Sequence, residues 1–200
     1  MVFEGGDGTG TSTQCEMIKK NLEEAGKPYF TTFEPTGGPI GKTIRAALKG
    51  DISLMPETIA RLFAADRNEH LYQARGILDH CGRNEIVVSD RYTPSSLVYQ
   101  GIECGEALPA KLNGDFPLPE LLVYFDIDPQ TALDRIGKRR FRDSYEYLDF
   151  QVEVHKRYRT ILEEYRRLGV TVEIIDASKT VEEVARDIWS SVRKLPIFET

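Results

Sequence analysis

The sequence predicts an α/β fold: a five-stranded parallel sheet covered by helices on both faces. Two observations predict it. Short runs at 1–4, 29–33, 86–89, 121–126 and 170–175 are almost continuously apolar, as strands buried on both faces must be. Each is followed by a segment with helical periodicity, the alternation that builds parallel sheets.

The elements follow in order. The first run leads into a glycine-rich turn and a helix beginning near Thr11. On that helix Met17, Ile18, Leu22 and Ala25 share one face, and Gly26 stops it. After the second run, Pro39 opens a helix through Leu48 that Gly50 closes. Pro56 precedes a long helix with Ile59, Leu62, Phe63 and Leu71 largely on one side. Later helices are expected from about Pro94, Pro129, Leu148 and Thr180. The stretch 137–147 is dense in charge and aromatic residues without a clean period, and reads as a mobile flap. With no internal repeat or linker, one domain over 1–200 is expected.

Composition narrows the function classes. The hydrophobic fraction of 40% and mean hydropathy of -0.37 are those of an ordinary soluble globular protein. No apolar run reaches membrane-spanning length, and the start shows neither the basic region nor the cleavage site of a signal peptide. The cysteines, Cys15, Cys81 and Cys104, are odd in number and far apart, which suits a reducing cytoplasm better than a disulfide framework or metal cluster. A net charge of -6 argues against wrapping polymeric nucleic acid. Anion binding must therefore come from local clusters, of which Lys138, Arg139, Arg140 and Arg142 form one; on charge alone these could equally be a solvated helix end.

The turn Gly5-Gly6-Asp7-Gly8-Thr9-Gly10-Thr11-Ser12-Thr13 has the spacing of a phosphate-binding loop, but Thr11 stands where the lysine of that pattern belongs. Glycines let backbone N–H groups curl around a phosphate, and the helix that follows aims its unsatisfied N–H groups at the same anion. A turn that merely closes a strand–helix corner is the other reading. Glu4, Glu34, Asp90-Arg91 and Asp126 all fall at strand ends, the rim where open α/β sheets bind ligands. Asp90 is placed to hold a hydrated Mg²⁺ with Ser12 as direct ligand, and Arg91 to grip a phosphate with paired donors.

Together, Phe3-Glu4-Gly-Gly-Asp7-Gly-Thr-Gly, Phe63-Ala-Ala-Asp-Arg67, Asp90-Arg91-Tyr92-Thr-Pro-Ser95-Ser96-Leu-Val-Tyr99-Gln100-Gly101 and Asp126-Ile-Asp-Pro129 resemble the thymidylate kinases, over essentially the whole chain to Asp176-Ala177-Ser178. The resemblance implies a P-loop nucleoside monophosphate kinase fold with a short lid at 137–147. It implies a cytoplasmic homodimer that transfers the terminal phosphoryl of ATP to dTMP with Mg²⁺. It further implies that Phe63 stacks on thymine, Arg67 bonds a base carbonyl and Ser96 meets the pyrimidine edge. By the same likeness Tyr99 crowds the sugar 2′ position and Asp7 accepts the 3′-hydroxyl, while Arg45 and Arg91 hold the acceptor phosphate. Gln100 lies near this region without a distinct role. Some bacterial members supply from the lid a charge the P-loop lacks, which here points to Arg139, Arg140 or Arg142, or to Lys138. Two departures stand out: Thr11, and Phe33 before Glu34-Pro35, where many bacterial relatives carry arginine. Two alternatives stay open at this point: a weak or inert nucleotide-binding module, and a kinase for another pyrimidine monophosphate.

Overall fold

The computed structural model describes residues 1–136 and 144–198. Five parallel strands, β1 (Val2–Glu4), β2 (Tyr29–Phe33), β3 (Ile86–Asp90), β4 (Leu121–Asp126) and β5 (Thr171–Asp176), form one sheet in the order β2-β3-β1-β4-β5. β1 is central, with Val2 opposite Ser89 on β3 and Leu122 on β4.

Alternation along these strands divides the core in two. Phe3, Ile86, Val88, Val123 and Phe125 point to one face. There they meet α1 (Thr11–Glu24) through Ile18 and Leu22, and α9 (Val181–Val192) through Val184 and Ile188. Val2, Val87, Leu122 and Tyr124 point to the other face. That face is covered by α3 (Pro56–Tyr72), α4 (Ile77–Gly82), α5 (Thr93–Cys104) and α8 (Ser144–Arg167). The strand, helix and cap positions legible in the sequence lie where expected to within a few residues. Gly50 ends α2 (Pro39–Lys49), and Thr180 caps α9 in a reciprocal capping box with Glu183.

Three features depart from the sequence reading. The short helices α4 and α6 (Ala107–Asn113) are additional. The helix expected from Leu148 begins a turn earlier, at Ser144, so the end of the expected flap belongs to it. The reason is visible in α8: the buried face of Val154, Tyr158, Ile161 and Leu162 continues backward through Gln151 to Tyr147, and both contact the P-loop. The expected lid residues Lys138, Arg139, Arg140 and Arg142 lie outside the described residues.

Candidate active site

The P-loop joins β1 to α1 and is shaped by close backbone approach. A Cβ on Gly8 would sit 2.3 Å from the Ala132 carbonyl oxygen, and Gly8 also has φ of 80°, so only glycine fits where α7 (Pro129–Ile136) leans on the loop. Thr9 Oγ1 donates to the Gly6 carbonyl at 3.0 Å, which closes the turn. Thr11, at the position of the missing lysine, is the buried first residue of α1.

β3 delivers the next group. Ser12 Oγ donates to Asp90 Oδ2 at 2.5 Å, so Asp90 faces the loop. Asp90 Oδ1 is buried without a hydrogen-bond partner among the described residues. A hydroxyl beside a carboxylate with one oxygen uncommitted is a hard, oxygen-only donor set, and it fits Mg²⁺. Arg91 follows with φ of 71°, a left-handed conformation rare outside glycine and found where a site over-determines the backbone. Its backbone N–H is held by the Phe3 carbonyl at 2.9 Å. Its guanidinium donates to Asp7 Oδ1 at 2.9 Å and lies over the Tyr99 ring.

Asp7 is the meeting point. Besides Arg91 it receives Tyr147 Oη, Gln151 Nε2 at 3.3 Å and, at the long end of a hydrogen bond, Tyr99 Oη at 3.4 Å. Its backbone N–H donates to Gln151 Oε1 at 3.2 Å. Burial pushes the Tyr99 and Tyr147 phenols above their ordinary range, so both keep the proton they donate. Tyr147 and Gln151 were missed from sequence. The available signal was Gln151 itself, a polar side chain at an apolar-face position, three residues before Val154 and seven before Tyr158.

Glu4, at the end of β1, is completely buried. It accepts from Tyr92 N at 2.8 Å, Ser95 Oγ at 2.6 Å and Tyr158 Oη at 2.8 Å. Burial lifts its carboxyl to about 7, against the opposing pull of Arg91 and these hydrogen bonds. A carboxyl raised on folding binds its proton more tightly in the native state. Its stabilising contribution is therefore complete below the unfolded value near 4.5 and lost as pH climbs through about 7. The shift corresponds to about 3 kcal/mol. In urea titrations, Glu4→Gln is expected to remove this decline in stability between about pH 4.5 and 7.

The acceptor-side residues come from α3, α5 and the loop after β2. Arg67 is buried and donates from Nε (2.9 Å) and Nη2 (2.6 Å) to Glu34 Oε2, from Nη2 to Ser96 Oγ (3.0 Å) and from Nη1 to Asn113 Oδ1. Glu34, without a sequence-assigned role, is thus the counter-ion of Arg67. Ser96 sits behind the guanidinium. A cavity of about 370 Å³ lies in front, lined among others by Phe63, Arg67, Tyr99, Gln100 and Phe150. Phe63 is only half-buried, so it is a wall of this cavity and not core. Gln100 Oε1 is buried without a hydrogen-bond partner among the described residues. Arg45, on α2, folds back to donate to the Thr36 carbonyl at 2.5 Å and to the Pro35 carbonyl, with Phe33 under its guanidinium. It is no free surface arginine.

A second, larger cleft of about 990 Å³ runs along the P-loop past Ser12, Arg45, Asp90 and Arg135. Asp7, Glu34, Arg91 and Tyr147 line both cavities. The arrangement thus juxtaposes a phosphate cradle with an aromatic slot across a wall that carries one guanidinium, Arg91, and two carboxylates, Asp7 and Glu34.

Comparison with known proteins agrees with this geometry. A family model described as thymidylate kinase matches residues 3–188. A Treponema pallidum (strain Nichols) protein whose name contains the words thymidylate kinase is 41% identical, with 97% of this chain and 94% of that protein covered. A Pyrobaculum aerophilum protein, also named with those words, is 37% identical over 100% of this chain and 98% of its own. The thymidylate kinase of Leifsonia xyli subsp. xyli is 35% identical, covering 94% and 91% respectively.

Proposed function

This chain belongs to the thymidylate kinase family, and we propose on that premise how its own residues carry out the reaction. The enzyme transfers the terminal phosphoryl group of ATP to dTMP, giving dTDP and ADP. The observation that carries the residue assignment is the wall shared by the two cavities at Asp7 and Arg91. A donor triphosphate in the P-loop cleft and an acceptor monophosphate entering from the aromatic slot would meet there, which is the positioning that phosphoryl transfer requires.

In this reading the loop 5–13 holds the ATP phosphates through backbone N–H groups and the start of α1. Ser12 and Asp90 would hold Mg²⁺, which would supply positive charge to offset that of the phosphates. Phe63 stacks on thymine, with Arg67 behind it and Ser96 steadying Arg67. The buried Gln100 Oε1 offers a further acceptor to the bound nucleoside. Tyr99 crowds the sugar, Asp7 takes the 3′-hydroxyl, and Arg45 and Arg91 bind the acceptor phosphate. Arg139, Arg140 and Arg142 supply the charge that Thr11 cannot. What supports this last assignment is the anchorage of the segment on both sides: Arg135 and Ile136 before it and Tyr147 after it line the P-loop cleft.

The chain acts as one domain. A homodimer is supported by the exposed apolar side chains Ile52 and Met55 between α2 and α3. No helix among the described residues is long and apolar enough to cross a membrane, and the reaction fits the cytoplasm, where its nucleotides are.

A coupled assay with ATP, Mg²⁺ and, in parallel, dTMP, dUMP, dCMP and thymidine tests the reading. Turnover should prefer dTMP. Preference for another acceptor would overturn the base assignment, and tight ATP binding without turnover on any acceptor would overturn the catalytic one.

A further inference from the structure

His70 has no part in the assignment above, yet it is buried and fully engaged. It lies one turn beyond Asp66 on α3 and adjoins the Arg67 counter-ion. Its Nδ1–H donates to Glu34 Oε1 at 3.1 Å, and its Nε2 lies 2.5 Å from Thr32 Oγ1 on β2. Asp66 grips the same loop a little further on, accepting from Thr36 N at 2.6 Å and Thr36 Oγ1 at 2.7 Å. One stretch of α3 therefore clamps the segment from Thr32 to Thr36.

The distribution of bonds on Glu34 is asymmetric. Both Arg67 donors that reach it, Nε and Nη2, converge on Oε2, while Oε1 is taken by His70. A carboxylate free at both oxygens prefers a two-pronged fork with one guanidinium N–H on each. Here Oε1 is turned toward His70, which fixes the rotation of the carboxylate so that both guanidinium donors share Oε2. Arg67 consequently keeps the rotation in which Nη2 also reaches Ser96 and Nη1 reaches Asn113. Of its five N–H groups, the one remaining, on Nη1, has no acceptor among the described residues, and Arg67 lines the acceptor cavity.

We propose that His70 is a positioning residue for acceptor recognition: by holding Glu34 Oε1 it turns the carboxylate so that Arg67 meets Oε2 alone, and it thereby keeps Arg67 in the orientation that leaves an N–H for the pyrimidine. This rests on the reading of Arg67 as a base contact. Leucine at position 70 would free Oε1 in a dry site. The carboxylate would then turn to satisfy itself on Arg67, and the guanidinium would turn with it.

The test is steady-state kinetics and thermal melting of His70→Leu, His70→Gln, Thr32→Val, Arg67→Met and the His70→Leu/Arg67→Met double variant. His70→Leu should raise KM for dTMP about tenfold, the scale of one charged hydrogen bond, with kcat and KM for ATP within about twofold of the parent. His70→Gln, whose amide can donate to Oε1, should recover most of the loss. Adding Arg67→Met to His70→Leu should cost less than about threefold more, because both act through one contact. Should His70→Leu not fold, Thr32→Val removes only the outer hydrogen bond at nearly constant volume and should shift KM for dTMP about threefold. An unchanged KM for dTMP in His70→Leu, with Arg67→Met still raising it, overturns the role of His70 and leaves the base contact standing. No effect from either variant overturns the base contact itself. Equal losses for dTMP and ATP with a lowered Tm would show that His70 only supports the fold.

Discussion

Replacing Arg91 with methionine is expected to lower kcat for dTMP phosphorylation by about 10²–10³-fold, the usual loss when one preorganised donor to the reacting group is removed. The expectation follows from position. Arg91 is the cation in the wall common to the donor cleft and the acceptor cavity, and its left-handed backbone, pinned by the Phe3 carbonyl, aims it there. Methionine keeps an unbranched stem and removes the charged fork that lies over Tyr99. Two secondary effects mark the same change. Asp7 loses its 2.9 Å cationic partner, and Glu4 loses the charge that opposes its burial, so the Glu4 carboxyl moves further above about 7. Rapid-quench kinetics with a parallel ATP-affinity measurement checks this. A loss carried by ATP binding alone would place Arg91 on the donor side.

The second large effect concerns stability as well as recognition. Arg67→Ala removes one half of a buried ion pair and leaves Glu34 nearly without solvent, at a cost of about 3–5 kcal/mol. It also opens space behind Phe63 and deprives Ser96 and Asn113 of their donor. We expect weakened dTMP binding with ATP affinity nearly unchanged, measured by calorimetry on whatever fraction remains folded. Pairing Arg67→Met with Glu34→Gln should return much of the stability, since no uncompensated charge is then buried, but not the dTMP affinity. An equal loss for both nucleotides would make α3 a structural helix and not a base reader.

How far the sequence carried the account depends on the range of each interaction. The strands were legible because burial on both faces makes their composition continuous, and the P-loop because glycine spacing is a local property. The placement of Glu4, Glu34 and Asp90-Arg91 on one rim followed from where the strands end. The partners of these residues were not legible. Glu34 finds Arg67 and His70 33 and 36 positions away, and Asp7 finds Gln151 144 positions away. No periodicity records such pairings. Arg45 illustrates the same limit: its α2 position suggests solvent, yet neighbouring carbonyls and the Phe33 ring draw it inward. The helices α4 and α6 are too short for a period to emerge, and the early start of α8 is set by its contact with Asp7, a tertiary effect.

The most direct test of the whole account is kcat of Thr11→Lys, measured beside a variant with Arg139, Arg140 and Arg142 all changed to glutamine. If charge from outside the P-loop already serves the transferring phosphoryl group, lysine at position 11 should change kcat by less than about 100-fold in the parent, and should recover activity in the lid-neutralised background. A rise of two or more decades in the parent enzyme would contradict it, leaving the cleft without the substitute cation on which the mechanism depends.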